Sequence, residues 1–271
     1  MEDSHFLPDT DRLSVLAAAI MLAYVLLPLV KIPERLFTVQ ILGIFFSLHL
    51  NFSTITAILS AALAAAGTDW LLRGHPRLGQ ASTFQHWLLP ALTAWVIGVP
   101  LSSLAGGWQW WSVLAFGGLM LVLVLVAEYI VVDLTDVRHV LASIGLTAVS
   151  FALFLILTIS LAAAESRLYV LLPAVMLAIF LVVLRTLYLR LGGRWCLTWA
   201  LGIALLVGQF AAGLHYWPLS PLSFGLAVLG LAYALTSVAG GLEEGRPWQS
   251  LWFEPAFMLI VLWGLAISVR S

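Results

Sequence analysis

WQWWSVLAFGGLMLVLVLVAEYIVV, residues 108–132, decides the fold. Its first 20 residues carry no charge, and Glu128 is its only charged side chain. As an α-helix, about 20 residues rise roughly 30 Å, the thickness of bilayer hydrocarbon. A helix on a water-facing surface would show a polar stripe at the 3.6-residue period. None is present here. Trp108, Trp110 and Trp111 open the segment, as tryptophans do at the boundary between headgroup and hydrocarbon. The stretch therefore reads as a transmembrane helix.

The same pattern recurs along the whole chain. Of 271 residues, 62% are hydrophobic and 9% charged, against about 25% charged in soluble domains. The net charge of −1 offers no basic surface for nucleic acid. Cys196 is the single cysteine, so no intrachain disulfide or cysteine metal site can form. The acidic start, with Glu2, Asp3, Asp9 and Asp11, lacks the basic region of a signal peptide and predicts a retained first span.

Apolar runs place spans at 13–30, 36–50, 54–72, 84–104, 108–132, 138–160, 167–190, 195–217, 219–239 and 250–269. The fold class is all-α, a polytopic transmembrane bundle of about ten spans, with eight to ten the range. Glycine, proline and charge separate the spans, as at Pro76 to Gly79, Asp133 to Arg138, Gly192 to Arg194 and Gly240 to Pro247. The segment 36–50 is the weakest span. As a helix it rises only about 22 Å, so it reads either as a short span or as half of a re-entrant hairpin with 54–72. The runs 119–126 and 177–184 read as lipid-facing. Small-residue stretches at 61–67, 202–208, 211–213 and 225–230 read as close helix contacts.

Lys and Arg concentrate in cytoplasmic loops. With ten spans and the N-terminus outside, nine basic residues lie inside and three, Arg12, Arg167 and Arg270, outside. Both termini are then outside an inner or plasma membrane. Ten spans divide into five and five near residue 135. The candidate pseudo-repeat halves, 1–135 and 136–271 of one integral membrane domain, would be inverted as in many secondary transporters.

Ionisable residues within spans are costly and mark function by default. Glu128, Glu254 and Asp69 lie within about two turns of the inner boundary, and Arg185 lies nearby in the seventh span. They could line an inward-facing pocket for proton coupling, with Arg185 as counter-charge, or form structural ion pairs. Asp133 and Asp136 are a weak candidate for Mg²⁺. Integral membrane prenyltransferases use denser aspartate clusters on two loops, and this chain has no second such cluster. The plainer reading is that Thr135 or Asp136 caps the next helix. His49 and His215 are the polar candidates of the outer face. No cofactor is implied.

Three functions compete. A small secondary transporter or permease fits the helix number, short loops and semi-buried carboxylates. A non-catalytic integral subunit or scaffold fits the scarcity of deep polar residues. An intramembrane enzyme acting on lipid or prenyl phosphate would rest on Glu128, Asp133, Asp136, Arg138 and His139. Expected partners are the lipid bilayer and a membrane protein or second copy of the chain, without nucleic acid.

Overall fold

The computed structural model describes residues 8–26, 35–41, 44–50, 52–79, 82–104 and 107–269. Among the described residues, eight helices are long and apolar enough to cross a membrane: Ser53–Leu72, Phe84–Ser103, Trp108–Val131, His139–Ala163, Leu168–Arg190, Leu197–His215, Pro221–Glu243 and Gln249–Ser268. A polytopic helix bundle is the architecture. The chain divides into two compact units, Met1–Tyr129 and Ile130–Ser271.

In the first unit, α1 (Thr10–Val25) starts where Asp9 accepts the backbone N–H of Asp11 at 2.9 Å, a side-chain cap on an otherwise unpaired donor. Two strands follow, β1 (Arg35–Ile41) and β2 (Ile44–Leu50), paired antiparallel with Arg35 opposite Leu50 and Ile41 opposite Ile44. They replace the helix expected over 36–50, both as a short span and as half of a re-entrant pair. The local sequence explains the change. Phe37, Thr38, Val39, Ile41, Ile44, Phe45 and Phe46 are residue types that favour strands. An open ribbon carries unpaired edge groups that hydrocarbon does not tolerate, so it is not a crossing.

Beyond the ribbon come α2 (Phe52–Leu72), α3 (Phe84–Ser103) and α4 (Trp108–Val131). The closest packing joins α2 to α3, and α1 lies against both. Gly98 of α3 sits where a Cβ would come 2.9 Å from the Ala57 Cβ and 3.1 Å from the Tyr24 ring. Without hydrophobic drive between helices in lipid, such small contacts set how closely backbones approach. Gly117 and Gly118 of α4 do the same against Ile97 and Met21. Arg12 donates from Nη1 to the Trp70 carbonyl at 3.2 Å, with its guanidinium carbon 5.2 Å from the Trp70 ring centroid. The first turn of α1 and the last turn of α2 therefore share one end of this unit. A crossing by 36–50 would have put them at opposite ends.

The second unit contains α5 (His139–Ala163), α6 (Leu168–Arg190), α7 (Leu197–His215), α8 (Pro221–Glu243), the short α9 (Trp248–Leu251) and α10 (Phe253–Ser268). Ser220 caps α8 by accepting the Ser223 N–H at 3.1 Å, with Pro221 beginning the helix. Gly245, at φ 71°, ends it. The Arg246 N–H reaches the Gly241 carbonyl and the Gly245 N–H reaches Leu242, the Schellman arrangement that satisfies final carbonyls.

Helix α8 is the hub, packed by α5, α6, α7 and α10. Gly225 meets Ile159 and Leu155, and Gly230 meets Trp263 and Leu262. Gly208 meets Met176, but Gly202 and Gly213 face open space. Only part of the expected small-residue contacts is therefore used. The run 177–184, expected to face lipid, instead buries Ala178, Ile179, Val182, Val183 and Leu184. The run 119–126 is divided, with Leu121, Val124 and Leu125 buried and Leu119 and Leu123 exposed.

Candidate functional site

Helices α5 and α10 each pack on α8 but not extensively on one another. The space left between them, with α8 as floor and α6 behind, is a cleft of about 500 Å³. Small-molecule sites usually occupy about 300–1,000 Å³. The polar end is built from the last turns of α6 and α8 and the first turns of α5 and α10. It presents Ser143, Arg190, Ser237 and Glu254. About two turns deeper the wall becomes Phe151, Leu229, Met258 and Leu262.

Glu254 stands exposed at the mouth, and its Oε1 accepts the Tyr233 hydroxyl at 2.8 Å. Among the described residues no cation lies within ion-pair distance of it. Arg190 lines the same cleft, but its charge is engaged elsewhere. Its Nε donates to Glu244 Oε1, and its Nη2 donates to Oε2 at 3.1 Å. Glu244 also accepts Arg246 at 2.6 Å. The hydrogen bond from Arg190 comes first among the causes that hold the Glu244 carboxyl below its usual range. Among the described residues, the cleft thus keeps one carboxylate without a cation of its own.

Tyr233 also meets Phe151 edge-on, with centroids 5.4 Å apart, so a pair of rings leads from the carboxylate end toward the apolar depth. Thr186 of α6 lines the cleft and is 6% exposed, and its hydroxyl has no hydrogen-bond partner among the described residues. Thr147 and Thr236 donate to backbone carbonyls of their own helices, leaving only acceptor capacity toward the cleft. Arg185, the expected counter-charge, is enclosed in α6 and does not line this space. Its guanidinium carbon lies 5.6 Å from the Tyr188 ring centroid.

In the first unit, the end of α4 meets the start of α3. Glu128, fully buried, is 2.7 Å from Nδ1 of His86, whose side chain is 6% exposed. Asp69 is held apart from this pair. Its Oδ2 takes Arg73 Nε at 2.8 Å, and its Oδ1 accepts the Thr83 hydroxyl across the α2–α3 connection. His75 is buried edge-on against Tyr129 at 4.6 Å, and its Nδ1 accepts the Arg77 N–H at 3.1 Å. Trp87 Nε1, one residue beyond His86, is buried with no partner among the described residues.

The expected residues thus take different local partners. Glu128 and Asp69 belong to the first unit, and Arg185 and Glu254 to the second. Asp133 closes its own loop, its Oδ1 accepting the Thr135 N–H at 2.9 Å and hydroxyl at 2.8 Å. Asp136 holds Arg138, through the backbone N–H and a 2.8 Å ion pair. The Asp136 hydrogen bond raises the Arg138 pKa. Arg138 itself is the cap residue of α5, so the aspartates shape the loop before the helix rather than capping its first turn. Among the described residues no three His, Cys, Asp or Glu converge as a metal site would need.

His215 ends α7 edge-on to Tyr216 and lines a cavity of about 330 Å³ with Glu165. His49 lies in β2 opposite Leu36, and its side chain is outside the described structure. Cys196 is buried before α7, where burial first and Glu243 second push its thiol pKa up.

Sequence reasoning missed His86 as the partner of Glu128, and Tyr233, Thr186 and Arg190 as cleft residues. The basic end of α6 and the Glu243-Glu244 pair were visible signals for the Arg190 contact. Nothing in the sequence linked Tyr233 to Glu254.

Residues 32–269 match the family model described as Protein of unknown function (DUF5656). No curated protein and no solved structure matches the chain. The chain belongs to the DUF5656 family.

Proposed function

We propose that this DUF5656 protein is a small secondary transporter whose substrate and proton meet at Glu254 in the α5–α6–α8–α10 cleft. The observation that carries the reading is a carboxylate, with no cation partner among the described residues, at the mouth of a ligand-sized cleft whose depth is apolar. Intramembrane carboxylates of this kind serve substrate and proton pathways. Tyr233 donates to Glu254, which offers a bound solute a negative acceptor when ionised and a neutral hydroxyl donor when protonated. Exchange between these two states couples proton and solute binding at one side chain.

Orientation follows from the basic residues. The Arg12–Trp70 contact supports a single face holding the start of α1 and the end of α2. Helix alternation from there brings eight of the twelve basic residues to that face: Arg12, Arg73, Arg77, Arg138, Arg185, Arg190, Arg194 and Arg246. We assign it to the cytoplasm by the positive-inside rule. The N-terminus is then inside and the C-terminus outside, and the polar mouth of the cleft opens toward the cytoplasmic boundary. Reporter fusions at the two ends should give opposite signals; equal signals overturn this assignment.

Proteoliposomes containing a trapped pH dye test the transport reading. They are challenged separately with amines, carboxylates and neutral polyols. The expected result is solute-dependent proton movement that Glu254→Gln abolishes while the variant still elutes as folded protein. If no solute class moves protons through the wild-type protein, transport is wrong and a non-catalytic membrane subunit is the better account.

A further inference from the structure

We infer that the cleft binds an amphiphile with a protonated-amine or quaternary-ammonium headgroup, its chain lying along the apolar wall. The inference concerns the ligand class of the site just proposed for transport, and it rests on that reading for the translocation of the ligand but not for its binding.

Charge selects the headgroup. Glu254 has no cation partner among the described residues, while Arg190, the cation at the same mouth, is committed to Glu244. An anionic head would meet the Glu254 carboxylate and would have to compete with Glu244 for Arg190. A cationic head would complete the missing ion pair. The Tyr233 hydroxyl touches that carboxylate, and the Phe151 ring lies edge-on to Tyr233 on the way into the cleft. A headgroup paired with the carboxylate comes within reach of these rings, and the ring quadrupole attracts a cation.

Shape selects the tail. From Glu254 to Leu262 the α10 wall descends eight residues, about 12 Å. Over this distance the lining changes from hydroxyls and charge to Phe151, Leu229, Met258 and Leu262. The head end of such a ligand stays at the polar boundary while its chain occupies the apolar depth. Thr186, enclosed and without a hydrogen-bond partner, adds a donor inside the cleft for an ester, hydroxyl or ether oxygen near the head.

Binding is measured calorimetrically on the full chain in nanodiscs of digalactosyl lipid, which is neutral and amine-free, with empty discs subtracted. Dodecyltrimethylammonium is the probe, and dodecanoate and dodecanol carry the same chain on anionic and neutral heads. Saturable binding of the ammonium probe, at least tenfold tighter than either control, is expected. Glu254→Gln should weaken it at least tenfold, Phe151→Leu several-fold, and Tyr233→Phe less than Glu254→Gln because it leaves the carboxylate in place. Equal affinity for the three heads, or an unchanged Glu254→Gln variant that is folded, overturns the inference. Competition by lysophosphatidylethanolamine against dodecylammonium distinguishes a membrane-lipid source from a free amine, and either winner supports the ammonium site. Ammonium binding without proton movement would reject transport but keep this site. Proton movement driven only by other solutes would keep transport and reject this ligand class.

Discussion

Separating the Glu128–His86 pair should reveal a strong coupling across the first unit. Both side chains are almost wholly enclosed, and the contact is 2.7 Å. A hydrogen bond involving a charged group contributes about 1.5–3 kcal/mol. Truncation adds a void, and large-to-small changes in a core cost about 2–5 kcal/mol. Glu128→Ala should therefore destabilise by about 3–5 kcal/mol, the cost of breaking a buried pair by removing one partner. Glu128→Gln keeps the shape and an amide able to bond the imidazole, so its cost should stay below about 1.5 kcal/mol, one ordinary hydrogen bond. His86→Ala should resemble Glu128→Ala. Each residue has other contacts, and a double-mutant cycle cancels those that are not shared. The double variant should be about 1.5–3 kcal/mol more stable than the sum of the singles predicts. Equilibrium unfolding in micelles, followed by tryptophan fluorescence and helical circular dichroism, reads all four proteins. A coupling below about 0.5 kcal/mol, the usual scatter of independent sites, would refute the pairing argument.

Gly98→Ala should cost about 1–3 kcal/mol by overpacking, because the new methyl meets the backbone-anchored Ala57 Cβ at 2.9 Å. Gly202→Ala, which meets nothing within 4 Å, is the control and should not lower the melting temperature. Asp133→Asn with Asp136→Asn should cost no more than about 1–2 kcal/mol, since asparagine keeps a side-chain acceptor and the ion pair to Arg138 is partly exposed; complete unfolding would show that the loop does more than join two helices. Glu244 has a depressed pKa, so its ion pairs with Arg190 and Arg246 stabilise the fold above the unfolded carboxyl value of about 4.3. That contribution is lost as pH falls through the lower folded value. Melting temperatures of wild type and Glu244→Gln should therefore converge on acidification below pH of about 4 and separate at neutral pH; a constant difference would refute the linkage.

Particular residues mark where sequence reasoning held and where it stopped. The run 108–132 read as a crossing because its length and lack of charge admit no water-facing helix, and α4 occupies Trp108–Val131. The breaks at Gly192 and Gly245 were visible because glycine adopts positive φ at helix ends without steric cost. The segment 36–50 misled because a short apolar run has no period that separates a helix from a strand. The run 177–184 misled for a different reason. Lipid tails and helix neighbours are equally apolar, so Leu and Val do not reveal which of the two they face.

The sequence alone determined the solvent, eight of the ten expected spans and the rarity of charge inside them. Those properties follow from transfer free energies that each segment carries by itself. Only the tertiary structure decided that Glu128 meets His86, that Asp69 accepts the Thr83 hydroxyl, and that Glu254 stands beside Tyr233 with no cation partner among the described residues. Those pairings join residues on different helices or across a connection. They depend on the rotation of each helix about its axis, which close small-residue contacts set and overall apolarity leaves undetermined.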